Sequence, residues 1–115
     1  MYDTNILIYF WKKGEKDVRG NTTILNIIEF PKALLMKNLV IIYPNPDDLN
    51  LALKISKDLM KKGTPVDCVN IILAAVALNR DLVIITKDKD FEFIKSVRPR
   101  LKLKIVEGEF SKRTM

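Results

Sequence analysis

Two acidic clusters stand beside apolar, strand-like runs at opposite ends of the chain, and this pairing constrains the fold more than any other feature. Leu82-Val83-Ile84-Ile85 runs directly into Thr86-Lys87-Asp88-Lys89-Asp90-Phe91, and Asp3-Thr4-Asn5 stands just ahead of Ile6-Leu7-Ile8. Carboxylates at the ends of buried strands face the rim of an α/β sheet, where open sheets usually take their ligands. Between these two points short apolar runs alternate with helical patterns. The alternation predicts an α/β fold with a mostly parallel sheet and helices on both faces.

The individual elements follow from their punctuation. Asp3 or Thr4 is placed to cap a short helix carrying Ile6 to Trp11, yet only Met1 and Tyr2 precede it, so the strand expected there is nearly missing. Either the sheet starts abruptly or the chain begins inside that strand. Residues 12–21 are polar, with Gly14 and Gly20 as breaks, and read as a loop. Asn26-Ile27-Ile28-Glu29 has the form of a capping box and places a helix start near Asn26, with Pro31 forcing a kink or a displaced start. Leu39 to Tyr43 reads as a short buried strand. Asn45-Pro46-Asp47-Asp48 then opens an amphipathic helix marked by Leu49, Ala52, Leu53, Ile55, Leu59 and Met60 and closed by Gly63. Asp67 is placed to cap a second, almost uniformly apolar helix through Leu78. A strand over 82–86, a short helix over 91–97 and a final alternating strand over 101–106 complete the order.

Composition removes whole classes of chemistry. The chain has no histidine and one cysteine, which excludes histidine bases, Ser-His-Asp triads and zinc sites built from His and Cys. Carboxylate, lysine, hydroxyl and bound metal remain, and oxygen-rich sites favour magnesium or manganese. At 115 residues the chain has room for one domain, 1–115, and its 48% hydrophobic content supplies a core. A net charge of +6 points to a polyanionic partner, either nucleic acid or an acidic protein, beyond a merely solvated surface. A basic chain with a local acidic cluster suits a metal-dependent nuclease. The lone Cys68, the lack of a basic N-terminal leader pattern and the absence of a run of ~20 apolar residues suggest a cytoplasmic protein with no membrane span.

Asp3, Glu29, the Asp67/Asn70 pair and Asp88 with Asp90 are the candidate site residues. Each also has an ordinary reading. Asp3 and Asp67 are helix caps, Glu29 is the reciprocal half of a capping box, and Asp88 and Asp90 belong to a solvated turn among lysines. Their joint placement where strand ends meet helix starts favours a shared site.

The segments Asp3-Thr4-Asn5-Ile6-Leu7-Ile8, Glu29 in its apolar helix, Asn70 to Leu78 and Leu82 to Phe91 together resemble the PIN-domain nucleases, especially the VapC-like toxins of prokaryotic toxin–antitoxin pairs. The resemblance spans nearly the whole chain. It implies a PIN-like α/β/α sandwich, an RNA substrate, Mg2+ or Mn2+, an acidic antitoxin-like partner and a homodimer. It places Asp3, Glu29 and Asp88 as catalytic metal ligands. The third acid of the family falls on Asn70, an amide that offers a carbonyl oxygen but no charge. Asp67, one turn earlier, is a possible substitute, and Asp90 a supplementary acid. Thr4, Asn5, Thr86 and Lys87 become supporting or RNA-contacting groups, with Lys12, Lys13 and Lys89 further candidates for the RNA backbone. Tyr9, Phe10 and Trp11 are apolar anchors for a partner, unless core claims them, as is expected of two. If the acids converge, they repel one another and their pKa values rise. The alternatives are a catalytically weakened PIN-like binding module, which Asn70 supports, and a phosphatase with Asp3 as nucleophile, which Asn5 disfavours because the usual second acid is missing there.

Overall fold

A computed structural model describes residues 1–107 and gives the order α1 (Thr4–Lys12), β1 (Asp17–Thr23), α2 (Ile24–Glu29), a 3-10 turn (Pro31–Leu35), β2 (Lys37–Ile42), α3 (Pro46–Lys62), α4 (Cys68–Arg80), β3 (Val83–Thr86), α5 (Phe91–Val97) and β4 (Lys102–Ile105). β1 pairs in parallel with β2, and β3 with β4. The two pairs are stitched together by residues 1–3. On one side the Met1 nitrogen donates to Val83, Ile85 donates to Met1 and Asp3 donates to Ile85, at 2.7, 2.8 and 3.0 Å. On the other side Tyr2 donates to Asn21 at 2.8 Å, and the Thr22 hydroxyl donates to the Tyr2 carbonyl at 2.8 Å. The strand that was nearly missing from the sequence is thus reduced to a single parallel bridge, Tyr2 to Ile85, in the segment between β1 and β3.

Two clusters of buried side chains flank this seam. The larger joins α3, α4 and α5 to β3 through residues such as Ile55, Leu59, Leu73, Ile84, Phe91 and Ile94. The smaller joins Leu7, Val18, Ile27, Ala33 and Met36, with Phe10 and Trp11 packed against it. This is the α/β/α arrangement that the alternating pattern implied.

Several local expectations need correction. Residues 17–23 form a strand, not a loop; their polar composition hides it because one buried apolar residue, Val18, and two buried threonines face the core. Gly20, at φ +148°, sits at an irregularity in the pairing with β2, and a Cβ there would lie 2.6 Å from the Tyr2 ring. Glycine is thus required for Tyr2 to close on β1. The second helix starts at Ile24, capped by Thr23, and Asn26 is the third residue of that capping box rather than its cap. β2 is an edge strand with Val40 59% exposed, since it pairs only with β1. In α3, Ala52, Ile55 and Leu59 are buried, while Leu49, Leu53 and Met60 lie outside the core-facing stripe.

α3 begins as the sequence indicates. The Asn45 side chain accepts from the Asp48 amide and the Asp48 carboxylate accepts from the Asn45 amide, both at 2.9 Å. Asp48 does more than cap, because its fully buried carboxylate also takes two bonds from Arg80, at 2.9 and 3.0 Å, and one from Asn79 at 2.8 Å. The start of α3 is thereby tied to the end of α4, which sets these helices antiparallel. Burial pushes the Asp48 carboxyl upward, but hydrogen bonds from Arg80, Asn45 and Asn79 and the guanidinium charge outweigh it and hold it below the usual carboxylate range.

Arg80→Ala leaves that carboxylate buried without its cation and should lower the unfolding free energy by about 2–4 kcal/mol at neutral pH, read from urea melts. Because the folded-state pKa of Asp48 is depressed, its stabilising contribution is complete above the unfolded value and is lost as pH falls through the folded one. The gap between wild type and variant should therefore narrow in acid.

Candidate active site

Asp3 caps α1 at the end of the central segment 1–3, with extended backbone (φ −75°, ψ 163°), and its carbonyl accepts from Ile6 and Leu7. Its carboxylate is buried and almost fully engaged. Oδ1 accepts from the Thr4 amide at 2.8 Å and from the Asn26 side chain at 3.3 Å. Oδ2 accepts from the Thr86 hydroxyl at 2.7 Å and from Asn5 at 3.3 Å. The sequence thus places an acid where a strand end, a helix start and two neighbouring elements all contribute a donor.

The other candidates are held in similar ways. Thr86, fully buried at the end of β3, donates to Asp3 and accepts from the Asp88 amide at 2.9 Å. Asp88 follows in a tight turn in which Oδ1 accepts from the Asp90 amide and Oδ2 from the Asn70 side chain, both at 2.9 Å. Glu29, the last residue of α2, accepts from the Thr4 hydroxyl at 2.5 Å. Asn5 accepts from the Lys87 amide at 3.2 Å and so fixes the loop after β3 against α1.

Asp3, Thr4, Asn5, Ile8, Glu29, Asp67, Asn70 and Asp88 line one open depression of about 450 Å³. Asp67 holds the capping position of α4, but its side chain accepts no backbone amide there and lines the depression instead. Asp90 is exposed and is not part of this lining. Lys89 is drawn away to Glu107 at 3.2 Å, while Lys13 and Lys87 reach the Tyr9 ring. A second depression of about 310 Å³ between α3 and α4 is lined mainly by Leu49, Leu53, Ile71 and Ile72 and brings no acid to its surface.

Asn26 is the member that sequence reasoning missed. Its buried amide donates to Asp3 and, at 2.8 Å, to the Thr4 hydroxyl, while its carbonyl oxygen accepts from Thr23 at 2.6 Å. One side chain therefore closes the cap of α2 and orients the first acid. A Thr-x-x-Asn capping pattern at 23–26 was the available signal.

Burial is the main reason that the Asp3 carboxyl titrates above its usual range; bonds from Thr86 and Thr4 counter it, and repulsion from Asp88 and Glu29 adds to it. Among the described residues no ion pair reaches Asp3, Glu29, Asp67 or Asp88. The acids are close enough for Asp3 to feel the other two, and among the described residues no cation pairs with them. Equally, among the described residues no group of three Asp, Glu, His or Cys side chains is arranged to hold a metal ion. Glu29 is tied to Thr4 and Asp88 to Asn70, so they share the depression with Asp3 without closing on one point.

No protein-family model matches this chain, and no curated protein matches it in sequence. Solved structures do match it in fold. A chain of VapBC2 from Rickettsia felis, in a complex bound to a DNA fragment from its promoter, superposes with a TM-score of 0.76 at 17% identity, covering 93% of this chain and 98% of that one. VapBC-1 from nontypeable Haemophilus influenzae gives 0.72 at 23% identity, covering 91% and 96%. DNA-bound VapBC from Salmonella typhimurium gives 0.75 at 21% identity, again covering 91% and 96%. The described architecture is the VapC-type PIN-domain fold.

Asp3→Asn removes the charge at the centre of the site, and the pH dependence of its effect reads the electrostatics. A folded-state pKa raised above the unfolded one means that the ionised group opposes folding at neutral pH, a penalty absent below the unfolded pKa. Because Asn also puts an NH2 where one oxygen accepts hydrogen bonds, the pH dependence carries the test: as pH rises through the carboxylate range, wild type should lose stability relative to the variant. Thermal melts across pH in the presence of a chelator read this directly.

Proposed function

We propose that this protein is a metal-dependent ribonuclease acting as the toxin of a toxin–antitoxin pair. The observation that carries the reading is that Asp3, Glu29 and Asp88, from three separate elements, line one depression where, among the described residues, no cation pairs with them. The fold shared with chains of VapBC complexes supports it. The donors at the depression are carboxylate, amide and hydroxyl oxygens, a set that fits Mg2+ or Mn2+. Asp3 and Asp88 are the principal ligands in this reading, with Glu29, Asp67 and Asn70 at the rim. A bound divalent ion would supply activation of water and stabilisation of charge on the phosphorus centre.

The remaining work falls to the chain's own groups. Thr86 and Asn26 fix the Asp3 carboxylate from two sides, so its outward direction is set before any ligand arrives. Thr4 holds Glu29 at the rim, and Asn5 anchors the backbone at Lys87, whose exposed side chain, now over the Tyr9 ring, can swing to RNA phosphate in this reading. Asn70 donates to Asp88 and so presents its NH2 inward; the amide must turn over to offer its oxygen to a metal. That orientation favours the second reading, a PIN-like module that binds RNA or protein with weakened turnover.

The partners in this reading are RNA, an acidic antitoxin-like protein and a second copy of the chain. The net charge of +6 supports an acidic partner. No helix among the described residues is long and apolar enough to cross a membrane.

Purified protein should cleave single-stranded RNA in Mn2+ or Mg2+ and lose that activity in EDTA, with Asp3→Asn and Asp88→Asn each lowering the rate by about a hundredfold or more. Metal-independent cleavage, or activity unchanged in both variants, would overturn the nuclease reading. Asn70→Asp replaces a hydrogen bond to Asp88 with repulsion, so the metal-free protein should lose stability. In manganese titrations the same variant should bind more tightly, because an added charge at ~4 Å from the ion is worth several kcal/mol, partly offset by its acidic neighbours.

A further inference from the structure

α3 carries a second apolar row that the core does not use. Leu49, Leu53 and Met60 recur at helical spacing on one face, with Leu53 61% and Met60 72% exposed. The row runs about 16 Å along the helix, or about three turns. Its Leu49 and Leu53 form one wall of the depression of about 310 Å³ between α3 and α4, and Cys68 and Ile72 of α4 form the other. The ion pair of Asp48 with Arg80 ties the two helices together, so both walls are in place before anything enters. Lys54, Lys57 and Lys61 run beside the apolar row, all exposed, and among the described residues none of them makes an ion pair. Asn70 stands two positions from Cys68 and from Ile72, so this trough and the acidic depression lie on opposite sides of α4.

We propose that the trough between α3 and α4 is the docking site for an acidic amphipathic helix of a partner protein, about three turns long. The proposal rests on the acidic-partner part of the reading above and adds the surface, its shape and its separation from the acids. Both walls are side chains of helices whose own backbone groups are bonded within α3 and α4. An extended segment would bury its amides and carbonyls there unpaired, whereas a helix arrives with them satisfied. The apolar stripe of that helix fills the space between Leu53 and Ile72, and its acids meet Lys54, Lys57 and Lys61. The apolar contact supplies affinity, and the lysines set the sign of the partner and its register. Like charge disfavours a second copy of this basic chain, because α3 packed antiparallel on α3 sets one lysine row against the other. A membrane surface does not enter a trough between two helices. A helix seated here leaves the acidic depression uncovered, so the partner is held without closing the site to RNA.

Titration with a stapled synthetic helix of leucines and glutamates, about three turns long, tests the trough. Cys68 is the chain's one cysteine, is exposed and lines the trough, so its reaction with DTNB reports occupancy. The acidic peptide should slow that reaction, and a counterpart with lysines in place of the glutamates should not. Leu53→Glu should weaken the acidic peptide about tenfold or more, since an apolar contact becomes a like charge. Leu53 is exposed, so this variant should melt as wild type does. Lys57→Glu combined with Lys61→Glu should reverse the preference between the two peptides, a result that damage to the fold would not produce. A Cys68 left unprotected by the acidic peptide, or protected equally by both peptides, overturns the proposal. A dimer, or binding to phosphatidylglycerol vesicles, that is lost in Leu53→Glu also overturns it, since either gives the face another occupant. Metal-dependent RNA cleavage by a protein whose Cys68 stays unprotected removes the trough and leaves the nuclease reading. Peptide protection of Cys68 without any RNA cleavage keeps the trough and removes the nuclease reading.

Discussion

The pairing of residues 1–3 with β1 on one side and β3 on the other is the interaction on which everything else depends. Each half of the molecule contributes only two strands, and each half has its own cluster of buried side chains. A handful of backbone hydrogen bonds, together with the Thr22 hydroxyl, joins them. Because the same segment ends in Asp3, the seam between the halves and the candidate catalytic acid are one feature. A change that widens the seam moves the acid, and α1 starts wherever that acid is held.

The site shows a division of labour between amides and hydroxyls on one side and carboxylates on the other. Thr86, Thr4, Asn26 and Asn5 each connect two or more partners and Asn70 holds Asp88, so the orientation of every central acid is set by a neutral group from another element. Such an arrangement accepts the repulsion among Asp3, Glu29 and Asp88 without neutralising it. Asp48 provides the contrast within the same chain, being buried, salt-bridged and satisfied. A buried carboxylate with its own guanidinium stabilises the fold, while one left without a cation is poised for something from outside.

Much of this was legible in the amino-acid order, and the rest was hidden for physical reasons. The capping box at Asn45, the apolar helix from Cys68, the strand at Val83 and the short helix at Phe91 were readable because local propensity and tertiary environment agree there. β1 was not, because Asp17, Arg19, Gly20 and Asn21 are poor strand formers whose pairing is decided by β2 and by the close approach of Tyr2. Asp3, Glu29, Asn70 and Asp88 could be picked out from their positions at element ends, and they do share a depression. For Asn26 the sequence records only the capping pattern with Thr23; its bonds to Asp3 and Thr4 depend on two caps meeting in space, which neither cap's own residues record. Asp67 misled for the opposite reason, having the residue type and position of a cap without making its hydrogen bond.

The central seam also has a meaning for how the molecule is made. Met1 and Val83 bond across 82 positions of sequence, and Thr86 meets Asp3 across 83. During synthesis Asp3 precedes Thr86 by 83 positions, so this bond waits until β3 has been made. Contacts of such long range form late, because the intervening chain must first be closed into a loop. Until then the half built on β1 and β2 lacks Thr86, Asn70 and Asp88 altogether. The depression is therefore complete only once the segment from Asn70 to Asp88 has packed against α1 and the end of α2.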